Sequence, residues 1–360
     1  MADRLRRTTT GAPGSPTGST GRTGTRELNA PPGLLGPYVR ALVPKRGGGP
    51  APERRLVLRE AATDPRKLER YAEVCGFTRR DRLPATYPHL VAFPLAMSLM
   101  ARRDFPLPVL GLVHIANRIE QLRPVGAGER LTHHVWTRQP RPHPRGTSFE
   151  VVAEADDGTA TVWRSVSTYL SRSRRPPAPE PHTAVLGTAA PAHPDTRDPD
   201  PGDPDAATTD TATTDTAADT AAAAVVDEHW DVGVSAGRSY ASVSGDRNPI
   251  HLHALTARAF GFPRAVAHGM WTKARCLAAL ETLLPDAHRV EVVFRAPVLL
   301  PAHVRFHASV RTAGPAVDGT GAGTGTDTGT GTGTGTGWDF RLHGTDSGRE
   351  HLRGTVTPLG

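Results

Sequence analysis

Tyr240-Ala-Ser-Val-Ser-Gly-Asp-Arg-Asn-Pro-Ile-His251 places a carboxylate, a carboxamide and an imidazole within twelve residues. Ala267-His-Gly-Met270 follows, and its glycine opens an apolar stretch with helical spacing. Asp246 and His251, five residues apart on a turn broken by Pro249, can converge on one water. An imidazole titrates near neutrality and so suits a general base. Asp246 can orient the water and tune the imidazole, or deliver a proton; the sequence leaves that division open. The backbone N–H of Gly269, at a helix start, would face a developing oxyanion with the helix dipole behind it. Together these are the parts needed to move water on or off a carbon beside a carbonyl.

Blander uses of the same residues exist. Asp followed by Asn-Pro is a turn and helix-cap pattern, in which Asp246 and Asn248 would only fix a loop. His251, His253 and His268 raise the question of zinc. His-x-His, however, brings alternate side chains together only on a strand, and no thiolate lies nearby, so no metal is expected. Asn248, His268 and Met270 are the candidate substrate-contacting residues, with Asn248 weighted towards holding the loop and His268 towards lining a pocket.

These residues need elements to hold them, and the chain supplies those elements twice. Tyr71-Ala-Glu-Val-Cys-Gly76 matches Tyr240-Ala-Ser-Val-Ser-Gly245, and Val91-Ala-Phe-Pro-Leu95 matches Val266-Ala-His-Gly-Met270. Arg123-Pro-Val125 loosely matches Arg295-Ala-Pro-Val298. Each copy reads as a short helix ending at the glycine, then a longer apolar helix (Leu90–Ala101, Gly269–Leu284), then hairpin-connected strands. In the first copy the strands are expected at Leu112–Gln121, Glu129–Thr137, Phe149–Ala155 and Ala160–Leu170. Helices first and strands after is an α+β pattern. On this alignment the first copy has Phe77 for Asp246, no histidine for His251, and Pro94, which carries no N–H, for Gly269.

Composition sets the outer limits. Hydrophobic residues are 37% and aromatics 5% of the 360 residues, a deficit confined to three segments. Residues 1–33 read as a disordered tail, 173–223 as a disordered linker, and 313–337 as a Gly-Thr loop grown into a hairpin. The formal charge of +7 raises nucleic acid, but the arginines are scattered among acids with no interleaved aromatics, so none is expected. The charge better fits attraction for an anionic handle. Cys75 and Cys276 stand far apart and read as buried thiols of a reducing, cytoplasmic setting. The most apolar run, Leu90–Ala101, is too short to span a bilayer, so no membrane is expected.

The combined motif resembles the signature of the MaoC-like (R)-specific enoyl-thioester hydratases, and the first copy is similar to that of the actinobacterial 3-hydroxyacyl-thioester dehydratases. Gly245, Asp246, Asn248, Pro249, His251, Ala259, Gly261, Phe262, Ala267, His268, Gly269 and Met270 carry the resemblance. It implies an α+β double hotdog: a non-catalytic hotdog over 34–172 and a catalytic one over 224–360. It also implies a cofactor-free hydro-lyase that interconverts trans-2-enoyl and (R)-3-hydroxyacyl thioesters in fatty-acid metabolism. Asp246, His251 and Gly269 would be catalytic. The partner would be an acyl-CoA or acyl-carrier-protein thioester, with homodimerisation left open. Two rivals stand beside it, a hotdog acyl-thioesterase and a non-enzymatic acyl-thioester-binding subunit.

Overall fold

The computed structural model describes residues 23–41, 43, 45, 49–172, 224–311 and 336–360. Strand β1 (Thr23–Leu28) and helix α1 (Leu35–Ala41) precede the first repeat. That repeat comprises β2 (Glu53–Ala62), α2 (Pro65–Cys75), α3 (Tyr87–Met100), β3 (Val113–Gln121), β4 (Arg130–Thr137), β5 (Arg141–His143), β6 (Gly146–Asp156) and β7 (Thr161–Arg172). The second comprises β8 (Ala224–Val232), α4 (Ala236–Ser244), α5 (Pro249–Leu252), α6 (Ala254–Arg258), α7 (Gly269–Ala279), β9 (His288–Phe294), β10 (Ala302–Arg311), β11 (Gly337–Gly344) and β12 (Glu350–Pro358).

Strand order β2-β4-β6-β7-β3 in the first repeat recurs as β8-β10-β11-β12-β9 in the second. β3 then pairs antiparallel with β9, so one sheet runs through both halves. The long helices α3 and α7 are buried along most of their lengths, with Leu95 and Leu277 fully shielded. Each such leucine contributes roughly 1.5–3 kcal/mol on burial, so the sheet has strong reason to wrap the helices. This is the α+β double hotdog.

The two halves are pinned at their seam by Lys273 of α7. Its buried Nζ donates to Oδ1 of Asn117 on β3 at 2.6 Å and to the Val290 carbonyl on β9 at 3.1 Å. The Asn117 amide donates onward to Ser165 and Ser167, so the buried polar groups are satisfied in series. Cys75 and Cys276 are both free and buried. No helix among the described residues is long and apolar enough to cross a membrane.

The short helices end as the repeated Tyr-Ala-x-Val-x-Gly element requires. Gly76 and Gly245 sit at φ +85° and +76°, and each donates its N–H back into its helix, to Ala72 and Ala241. Glycine takes this left-handed cap without strain. Asp64 starts α2 by accepting from the backbone of Arg66 and Lys67.

Three expectations change. Residues 23–28, assigned to a disordered tail, form β1, paired in parallel with β2 and tied to it by Glu27 and Arg59. Helix α3 begins at Tyr87, before the expected Leu90, and α7 ends at Ala279 rather than Leu284. The third change is one of register. Leu83 N–H donates to the Val125 carbonyl as Ala267 N–H donates to that of Val298. Ala127 N–H donates to the Asp81 carbonyl as Leu300 N–H donates to that of Ala265. The counterpart of Gly269 is therefore Ala85, not Pro94, which lies inside α3. The Val125–Val298 and Gly76–Gly245 matches stand. Only residues 77–82 separate the two landmarks in the first half, against 246–266 in the second, so the whole α5–α6 excursion with His251 has no counterpart there.

The strands expected on either side of the Gly-Thr segment pair antiparallel, Val304 opposite Gly344 and Arg311 opposite Gly337. The linker at 173–223, the tail before residue 23 and the loop over 313–335 lie outside the described residues.

Candidate active site

Asp246 follows the left-handed cap of α4, which turns the chain sharply out of the helix. Its backbone N–H donates to the Ser244 hydroxyl, and its Oδ1 accepts from the Asn248 N–H at 3.1 Å. That second bond is the Asx turn the blander reading anticipates. It occupies one oxygen only. Oδ2 has no hydrogen-bond donor among the described residues and lies 3.8 Å from Nε2 of His268.

Pro249 starts α5, and that short helix turns His251 inward, where it is buried. Its Nδ1 is 2.7 Å from the Val266 carbonyl. A carbonyl only accepts, so Nδ1 carries the proton and Nε2 keeps its lone pair. The close seating depends on Gly237 of α4, where a Cβ would lie 2.1 Å from the His251 carbonyl oxygen. Burial depresses the His251 pKa below its ordinary value, while the Asp246 charge and the Val266 carbonyl pull it back upward. The ring is therefore neutral near pH 7, as a base must be.

His268 stands immediately before α7 and stacks on His251 with centroids 3.7 Å apart. Its Nε2 donates to the Asp246 carbonyl at 2.9 Å, fixing the Asp246 backbone, and Nδ1 is buried without a partner among the described residues. Burial, then the neighbouring His251, pushes its pKa down to about 3. No side chain caps α7, and Gly269, its first residue, lines the cavity.

One carboxylate oxygen of Asp246 and one nitrogen from each of His251 and His268 lie within 4.8 Å of one another. That is a donor set a metal could meet. The stacked rings oppose it, since their in-plane lone pairs run side by side rather than converging on one point.

Asp246, Asn248, His251, His268, Gly269 and Met270 all line one cavity. Asn248 contributes its backbone to the Asp246 turn, and its Oδ1 is buried without a partner among the described residues. Met270 is buried in the wall. The first half supplies the facing wall: Leu90, Phe93, Met97 and Met100 of α3 make it apolar. His89, His114 and Tyr169 add polar groups, and Arg145 and Arg172 are cationic.

Two of these features lie outside any local motif. Tyr38 on α1 reaches the Asp246 loop from 208 residues away. His89 on α3 stands where the second half has Lys273, by the register set at Leu83 and Ala267. An aromatic-plus-glycine helix before the first repeat is the one local signal for Tyr38, and it says nothing of a destination.

The fold and the site together define a double hotdog in which a carboxylate–imidazole cluster of the second half lines a cavity walled by the first. Residues 212–330 match the MaoC like domain. The chain is 32% identical over 309 residues to 3-hydroxyacyl-thioester dehydratase X of Mycobacterium tuberculosis, covering 86% of this chain and 90% of that one. The crystal structure of HtdX from that organism superposes with a TM-score of 0.60 at 29% identity, over 85% of this chain and 100% of the other. A MaoC-like dehydratase from Phytophthora capsici shares the fold at TM-score 0.54 and 15% identity, over 87% and 96% of the two chains. The chain belongs to the MaoC-like dehydratase family, in its double-hotdog form.

Proposed function

We propose that this chain is a hydro-lyase that adds water to trans-2-enoyl thioesters and removes it from (R)-3-hydroxyacyl thioesters. The observation that carries the reading is the pairing of a carboxylate oxygen free of donors with an imidazole whose Nδ1 is committed to the Val266 carbonyl. Water held between Asp246 Oδ2 and His251 Nε2 loses a proton as its oxygen attacks C3. Electron density moves through C2 to the thioester oxygen, where the Gly269 N–H and the α7 dipole stabilise the enolate. A proton then returns to C2 from the same pair. Apart from the C–O bond that water forms at C3, the steps are proton transfers and a charge stabilisation, which the chain's own groups supply.

The first half serves as the wall of the acyl site. Phe77 occupies the place of the acid, and the segment that would carry the base is missing. The apolar face of α3 offers the acyl chain a channel, while Arg145, Arg172 and Arg295 beside the cavity suit an anionic thioester carrier, coenzyme A or a carrier protein.

The test is direct. Purified protein is given 2-enoyl-CoA esters of graded length, and loss of the conjugated thioester is followed together with free thiol and product configuration. Loss of conjugation without thiol, yielding the (R)-alcohol, is the expected result. Thiol release would make the chain a thioesterase, and binding without turnover a carrier subunit.

A further inference from the structure

Tyr38 belongs to the non-catalytic half yet touches the catalytic loop at three consecutive residues. Its hydroxyl accepts from the Arg247 N–H at 2.6 Å. Its single proton is shared between the Gly245 carbonyl at 3.1 Å and Asp246 Oδ1 at 3.3 Å. Leu34, one helical turn earlier, covers the Gly245 cap so closely that a Cβ there would meet its Cδ1 at 2.5 Å. Helix α1 thus lies as a strap across the turn from which Asp246 projects. Burial and the Asp246 charge push the Tyr38 phenol well above its ordinary pKa, so the hydroxyl keeps its proton.

We infer that Tyr38 is a positioning residue for Asp246, by which the first half holds the carboxylate of the second in its working orientation. Oδ1 is already committed to the Asn248 N–H; a second donor on the same oxygen fixes the rotation of the carboxylate and leaves Oδ2 directed at the water. A turn closed by local bonds alone would leave that rotation loose, and misplacement of a reacting group is costly in rate. The same hydroxyl supplies the acceptor that Arg247 N–H otherwise lacks. Helix α1, which precedes the first repeat, thereby serves the loop of the second.

The inference rests on the reading of Asp246 as the acid–base carboxylate, and the experiment separates the two. Tyr38→Phe keeps the ring and removes only the oxygen. We expect kcat to fall roughly tenfold or more with KM within about threefold. In the Asp246→Asn background the same change should cost less than about twofold. Unchanged kcat in Tyr38→Phe, a rise in KM alone, or a full additional tenfold loss in the double variant would each overturn the positioning role. Normal activity in Asp246→Asn alone would instead overturn the assignment of Asp246. A melting temperature within a few degrees of the parent distinguishes positioning from loss of fold, and Tyr38→Leu, which also removes the ring, should lower both.

Discussion

The imidazoles of His251 and His268 stack at 3.7 Å between centroids with planes 25° apart, one ring bonded to the Val266 carbonyl and the other to that of Asp246. Each ring uses one N–H to fix a backbone segment of the site, so the pair closes the loop 246–268 on itself. Two stacked buried imidazoles resist protonation, because either charge would be desolvated against the other.

Acid should therefore destabilise the fold before it protonates these rings. The pKa of His268 is held down to about 3, and those of His89 and His133 to about 4, each by burial first. Their folded values lie below the unfolded value near 6.5, so the unfolded chain binds protons the folded chain refuses. The stabilisation is complete above pH 6.5 and is lost as pH falls towards 4, by roughly 1.4 kcal/mol per pH unit for each ring. Urea midpoints should hold between pH 7.5 and about 6.5 and then fall to pH 5, and His268→Gln should flatten that fall.

Asp246→Asn and His251→Gln should each lower kcat by ~10²–10⁴, the usual worth of a general acid or base. The double variant should lose little more than either alone, since both act on one water. In the parent, the acid limb of kcat/KM should lie below the ordinary imidazole value, because burial depresses His251. Steady-state kinetics over pH 4.5–8 would check all three.

Gly269→Ala tests the oxyanion donor by steric means. Its Cβ would meet the Phe294 ring at 3.2 Å, closer than ordinary contact, and push the ring into the cavity or the helix start away from it. Activity should fall about tenfold or more. Adding Phe294→Leu, which clears the contact, should restore most of it.

The α3 wall should set chain length. Met97→Trp adds bulk to an apolar lining, so kcat/KM for long 2-enoyl-CoA esters should drop about tenfold while that for the four-carbon ester stays within about threefold. An equal loss on both would remove α3 from the acyl site.

Phe77→Asp should not create a second centre. The side chain is buried, with 4% of its surface exposed, and an unpaired carboxylate there should cost several kcal/mol of stability. In the Asp246→Asn background it should restore no activity, because the first half has no segment to carry a base. Thermal melts and the hydration assay together would show this.

Much of this is written locally. Glycine caps, apolar helical spacing and the Asp-x-Asn-Pro-x-His turn act over a few residues, where backbone geometry leaves few choices, so they and the duplication are legible in the chain. Register between the copies is another matter. Val-Ala-Phe-Pro-Leu resembles Val-Ala-His-Gly-Met as letters, yet the hydrogen bonds of Leu83 and Ala267 move the match by nine residues and put Ala85, not Pro94, opposite Gly269.

What the sequence by itself determined is the set of groups: a carboxylate, an imidazole and a glycine at a helix start, close in the chain. The tertiary structure alone decided how those groups are held. The proton on His251 Nδ1 is set by the carbonyl of Val266, fifteen residues on, and the Asp246 loop is strapped by Tyr38 from 208 residues before. Each of these contacts joins residues of different segments, and no spacing within one strand or helix encodes them.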